Sequence, residues 1–139
     1  MRPVDIDTSR FPVVDVTFHG QVSDEQFADY LERMTEVATR REKNVVIIDA
    51  SRAGATPPTQ RKMQADWLKK HEATLERHSL GTAFIITSRM IRGILTAILW
   101  LSPMPGDHAV VSTYVEAEDW AFERLWEAGI EPPARRRSA

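Results

Sequence analysis

Val45-Val46-Ile47-Ile48, followed at once by Asp49-Ala50-Ser51-Arg52, is an unbroken apolar run of strand length that stops abruptly at polar residues. A strand with one face in water alternates apolar and polar side chains, whereas a strand buried on both faces does not. The run therefore predicts a central strand of a parallel sheet with a polar step beyond its carboxyl end. Ala83-Phe84-Ile85-Ile86 has the same character, and Ala109-Val110-Val111 is a shorter version. Stretches of helical periodicity separate the three, so the chain reads as an α/β domain.

Working outward, Phe11 to Phe18 alternates Val14, Val16 and Phe18 with Val13, Asp15 and Thr17, which predicts a strand. Val4 to Thr8 reads as a first arm, making an N-terminal hairpin. Ser23 with Gln26 has the spacing of a capping box, and Phe27, Leu31, Met34 and Ala38 follow at helical intervals. Thr56-Pro57-Pro58 opens a second helix, in which Met63, Trp67, His71 and Leu75 recur every fourth residue to near His78. Ser88 caps a third helix to about Leu101, and Pro103 to Gly106 breaks it. The last helix spans about Glu116 to Ala128, with Trp120, Ala121 and Leu125 inward and Gly129 as its stop. The expectation is a single domain over residues 1–131: a mostly parallel four- to five-stranded sheet with an N-terminal hairpin and four helices. Residues 132–139, a basic stretch after Pro132-Pro133, are expected to be disordered.

At 139 residues, 42% hydrophobic and 27% charged, the chain can build a core without disulfides or metals. A net charge of −2 removes the main electrostatic reason to expect nucleic acid. The absence of cysteine excludes thiolate catalysis and cysteine-ligated zinc. Met1 to Arg10 lacks the apolar core of a signal peptide, and Ile94 to Leu101 is far shorter than the ~20 residues that span a bilayer. A cytoplasmic protein without transmembrane segment, cofactor or metal is expected.

The order of elements, with three local stretches, resembles the STAS domain, the SpoIIAA-like fold of the anti-sigma-factor antagonists. Phe18-His19-Gly20-Gln21-Val22 is similar to the family's glycine turn after the second strand. Val46 to Ser51 is similar to its strand ending in Asp-x-Ser, and Val115 to Ala121 to the acidic opening of its last helix. The resemblance covers roughly Val4 to Leu125 and implies a regulatory or protein-interaction module of bacterial type. Kinase-switched members carry Asp-Ser-Ser-Gly at the start of the second helix. Here the stretch is Pro57-Pro58-Thr59-Gln60, which leaves Thr59 as the candidate phosphorylation site and lacks the acidic residue and the glycine. Relatives without the switch, some linked to lipid binding, make a small-ligand carrier the alternative.

Ligands of open parallel sheets sit beyond the strands' carboxyl ends. That rule selects His19, Asp49, Ser51, Arg52 and Ser88, with Arg61, Arg89 and Arg92 as guanidinium groups for a phosphate, carboxylate or acidic segment. The competing reading has Asp49 and Ser51 only tying their loop, with the arginines solvated. A hydrolase built from Ser51 or Ser88 with His19 and Asp49 is not expected, because no Gly-x-Ser-x-Gly elbow is present. His71 and His78, two turns apart, are too far separated to share a metal, and His71 reads as a packed core-edge residue.

The Ser88–Leu101 stretch carries two apolar faces. Ile91, Ile94, Leu95 and Ile98 form the one that should cover the sheet. Gly93, Ala97, Trp100 and Met104 form a second ridge on nearly the opposite side. Small residues beside an aromatic anchor suit an interface, so this ridge is the candidate contact with a second subunit, a protein partner or an acyl chain. The alternative is that the hairpin or the C-terminal segment folds over it.

Overall fold

The computed structural model describes residues 3–101 and 106–136. Strands β1 (Val4–Asp7), β2 (Val13–Gly20), β3 (Asn44–Ala53), β4 (Ser79–Ile85) and β5 (His108–Val111) form one sheet in the order β1-β2-β3-β4-β5. The hairpin β1–β2 is antiparallel, with Val4 opposite Phe18, and every other pairing is parallel. The three apolar runs thus lie in one sheet and point the same way.

Helices α1 (Asp24–Thr39), α2 (Pro58–Lys70), α3 (Glu72–His78) and α4 (Arg89–Leu101) occupy the crossovers, and α5 (Tyr114–Glu127) follows the last strand. Each crossover steps one strand in the same direction. Right-handed connections therefore place α1 to α4 on one face, leaving the other to α5. The core divides accordingly. Val14, Val16 and Val46 meet Phe27, Tyr30, Leu31, Met34 and Val37 on the α1 side. Val13, Val45, Ile47, Ala83 and Ile85 meet Ala117, Ala121 and Leu125 on the α5 side. Alternation along the strands feeds both layers, which is why the runs show no polar gaps.

Local signals explain the helix ends. Ser23 Oγ accepts from Gln26 N at 3.1 Å while Gln26 Oε1 accepts from Ser23 N at 2.9 Å, closing the capping box. At the end of α5, Gly129 adopts φ +76°; its N–H bonds to Trp126 O at 3.0 Å and that of Ile130 to Leu125 O at 2.9 Å. This double closure needs the left-handed conformation that glycine tolerates.

Three expectations change. The described residues form five helices, because the apolar repeat through Met63, Trp67, His71 and Leu75 continues across a break at His71 (φ −103°, ψ 11°). Periodicity reports a face and is blind to a change of axis along it. Strand β3 continues past Ile48 to Ala53, paired with β2 as far as Gly20↔Ala53, so Asp49 to Arg52 are strand residues rather than a loop. Residues 132–136, expected to be disordered, lie against α5. Arg136 N donates to Glu118 Oε2 at 2.9 Å and Arg135 Nη1 to Glu118 Oε1 at 3.2 Å. Neither that segment nor the hairpin, at the far edge of the sheet from β5, covers α4. Among the described residues no helix is long and apolar enough to cross a membrane.

Burial leaves a mark on titration. It raises Tyr30 above the ordinary phenol value of about 10, and raises Tyr114 likewise, with a hydrogen bond to Asp15 adding to the effect. The unfolded chain loses these protons first, so stability present below about pH 10 is lost as pH rises beyond it. Denaturant midpoints should therefore fall between about pH 9 and about pH 11. The fall should be smaller in Tyr30→Phe; an identical fall would remove Tyr30 from the account.

Candidate ligand cavity

Helix α4 packs on α2 and leaves space between itself and the sheet. A cavity of about 160 Å³ fills that space. Its floor is Val46, Ile48, Phe84 and Ile86, side chains of β3 and β4 with their extensions, all on the α1 side of the sheet. Ile91, Ile94, Leu95, Ile98 and Leu99 of α4 form the roof. Met34 and Val37 of α1, with Trp67, Leu68 and Leu75 of α2 and α3, close the side. The face of α4 expected to cover the sheet does so across this space. Only Ile98 in it is buried; Ile91, Ile94 and Leu95 are half-buried.

The lining is mostly aliphatic and aromatic, and among the described residues no Asp, Glu, Lys or Arg contributes to it. Its polar side chains are Tyr30, Asn44, Thr56, Gln64, Thr74, His78, Ser79 and Thr82. Trp67 is fixed by its indole N–H, which donates to Thr35 Oγ1 at 2.9 Å, and by the His71 ring at 4.8 Å. His71 is the half-buried packing residue that was expected, and desolvation, helped by Lys70, lowers its pKa. An apolar cavity of similar size can stay dry and take up benzene-sized molecules.

None of the eight residues selected at the carboxyl rim lines the cavity. Asp49 Oδ1 accepts from Ser51 Oγ at 2.6 Å and Ser51 N at 3.0 Å, tying that stretch to itself. His19 stands opposite Arg52 in the β2–β3 register. Ser88 Oγ receives the Ile91 amide at 3.4 Å, which caps α4. Arg92 reaches the Ile86 carbonyl at 3.4 Å. Arg52 and Arg89 are exposed and Arg61 half-buried; among the described residues none of these four arginines pairs with a carboxylate. Thr59 is exposed in the first turn of α2, beside Gln60, whose buried amide donates to Val22 O at 2.7 Å and Asp24 Oδ1 at 3.0 Å. Among the described residues no three His, Asp or Glu side chains gather as a metal site.

On the outer side of α4, Gly93 and Ala97 are exposed and Trp100 is 84% exposed. Met104, the fourth member of that ridge, lies outside the described residues. Sequence reasoning found both faces of α4 but missed the cavity, Asn44 and Thr82 included. Their signal was polar residues inside or beside apolar strand runs, which read as strand ends.

A five-stranded sheet with this helix order is a SpoIIAA-like fold, the fold of the STAS domain. The chain is similar to the crystal structure of an uncharacterized protein of the DUF3478 family from Shewanella loihica PV-4, described as having a SpoIIAA-like fold. The TM-score is 0.57 at 15% sequence identity, over 85% of this chain and 91% of that one. No protein-family model and no curated protein matches the sequence.

Proposed function

We propose that this is a non-catalytic binding domain that encloses a small apolar ligand between its sheet and α4. The observation that carries the reading is the apolar, uncharged cavity beneath a helix whose inner face is only partly buried. Ligand sites combine such a lining with a few convergent polar groups, and an empty apolar space forfeits dispersion contacts that a ligand would restore. The carboxyl rim supports an anion site less well, since Asp49 and Ser51 are engaged with each other and Arg92 with the Ile86 carbonyl.

Thermal unfolding with toluene tests the reading. At a free concentration a hundredfold above Kd the ligand should add about 2.7 kcal/mol of stability. Ile94→Trp, which fills the space from the roof, should keep the native circular dichroism and lose most of that gain. An equal gain in both proteins would place the ligand elsewhere.

A second reading, self-association as a protein-interaction module, is favoured by Trp100. A large aromatic that is 84% exposed on a helix with small neighbours has the composition of an interface anchor. Light scattering should then give a dimer for the wild type and a monomer for Trp100→Glu. A monomer in both cases removes this reading.

A further inference from the structure

The cavity's polarity is lopsided. Asn44 opens β3, Ser79 stands opposite it at the start of β4, and Thr82 pairs with Val46 two residues beyond Asn44. His78 directly precedes Ser79, and Thr74 lies one turn earlier on the same face of α3. These five polar residues therefore meet at the amino ends of the strands. At the other end the lining is Ile48, Ala50, Ala53, Phe84, Ile86 and Ile91, with Thr56 its one polar side chain.

Asn44 is 5% exposed and Thr82 6% exposed. One amide proton of Asn44 donates to Glu42 O at 3.0 Å, which fixes the side chain and leaves its second proton and its carbonyl oxygen uncommitted. The Thr82 hydroxyl has no hydrogen-bond partner among the described residues, while its residue lines the cavity. Ser79 Oγ accepts from Gly81 N at 3.3 Å and keeps its own proton free to donate. The unpartnered atoms of Asn44 and Thr82 are not sealed off, so a molecule entering the cavity can meet their hydrogen-bonding capacity. A polar ligand group at this end would do so.

Charge limits what that group can be. A carboxylate or ammonium entering the cavity would find no Lys, Arg, Asp or Glu of the described residues in the lining, and an unpaired buried charge is strongly disfavoured. Tyr30 and His78 are the titratable lining residues, and burial keeps the Tyr30 phenol protonated.

Resting on the cavity reading above, we propose that the ligand is a small amphiphile with an uncharged hydrogen-bonding head, bound head-first against Asn44 and Thr82 at the amino ends of β3 and β4, with its apolar body under α4. The polar end of the site is thus opposite to the one that open parallel sheets ordinarily use.

Titration calorimetry with toluene, benzyl alcohol and benzoate at pH 8 tests the proposal on the wild type and on Thr82→Val, which keeps the side-chain shape and deletes the hydroxyl. Loss of one hydrogen bond to the head should weaken benzyl alcohol about tenfold in Thr82→Val. Toluene should change less than about twofold, and benzoate should bind the wild type at least about tenfold more weakly than the alcohol. Intermolecular NOEs on the wild type should place the carbinol methylene beside Thr82 rather than Ile91, whether or not the variant folds. Equal losses for toluene and benzyl alcohol, benzoate binding as tightly as the alcohol, or NOEs to Ile91 would overturn the head's placement and leave the cavity reading intact. Failure of all three compounds to bind would sink both.

Discussion

Gly81→Ala should lower the unfolding temperature by roughly 6 to 18 °C. Gly81 adopts φ +137° in β4, a conformation that side-chain-bearing residues rarely occupy. A methyl group there would stand 2.6 Å from Trp120 Cη2 and 2.7 Å from the Asp107 carbonyl oxygen. The indole end could turn aside, but Asp107 is held by its bond to Thr82 N at 3.0 Å. Backbone strain of about 1–3 kcal/mol and overpacking of about 1–3 kcal/mol both apply. Shortening the aromatic should relieve part of this, so Gly81→Ala with Trp120→Leu should destabilise less than the two single changes summed. A loss below about 2 °C for Gly81→Ala would show that Trp120 does not approach this closely.

Arg10→Ala should cost about 3–5 kcal/mol. The Arg10 guanidinium holds together segments far apart in the chain. It meets Asp15 Oδ2 at 3.0 Å, Glu118 Oε2 at 2.9 Å, the Ala134 carbonyl at 3.0 Å and the Tyr114 hydroxyl. Tyr114 in turn donates to Asp15 Oδ1 at 2.6 Å. Asp15 and Glu118 are 7% and 3% exposed, so deleting the guanidinium takes from two buried carboxylates the cation that they share. Arg135 also reaches Glu118 but is more than half exposed, so Arg135→Ala should cost far less than Arg10→Ala. Urea denaturation of the two variants separates these values. A small effect for Arg10→Ala would mean that water solvates the cluster.

The two predictions mark where the sequence was readable and where it was not. The parallel strands were legible because burial on both faces erases polar alternation, and α1 because Ser23 and Gln26 carry its start. Gly81 closely follows a helical run, yet it lies inside a strand, and the close approach of Trp120, from α5, has no local trace. Asp15 stood out as a carboxylate among valines, but nothing in spacing pointed to Arg10, Tyr114 and Glu118 as its company. The polar residues Asp49 to Arg52 looked like a loop because β3 is flanked there by β2 alone, its pairing with β4 ending at Asp49↔Ile85.

The candidate site was half legible for a related reason. A helix's apolar face can be read from its period, so Ile91, Ile94, Leu95 and Ile98 were placed toward the sheet. The distance at which α4 stands from it depends on how α2 and α4 meet, which no single segment encodes. The cavity lies in that interval. The rule that ligands occupy carboxyl ends directed attention to His19, Asp49 and the arginines, whereas the polar lining gathers around Asn44 and Thr82.

Carbon–proton methyl spectra recorded during a toluene titration address the binding claim most directly. Shifts should concentrate on Ile48, Ile86, Ile91, Ile94 and Ile98 and saturate together, with the valine methyls of the α5-side core unmoved. Shifts spread evenly over both faces of the sheet, or none at all, would contradict it.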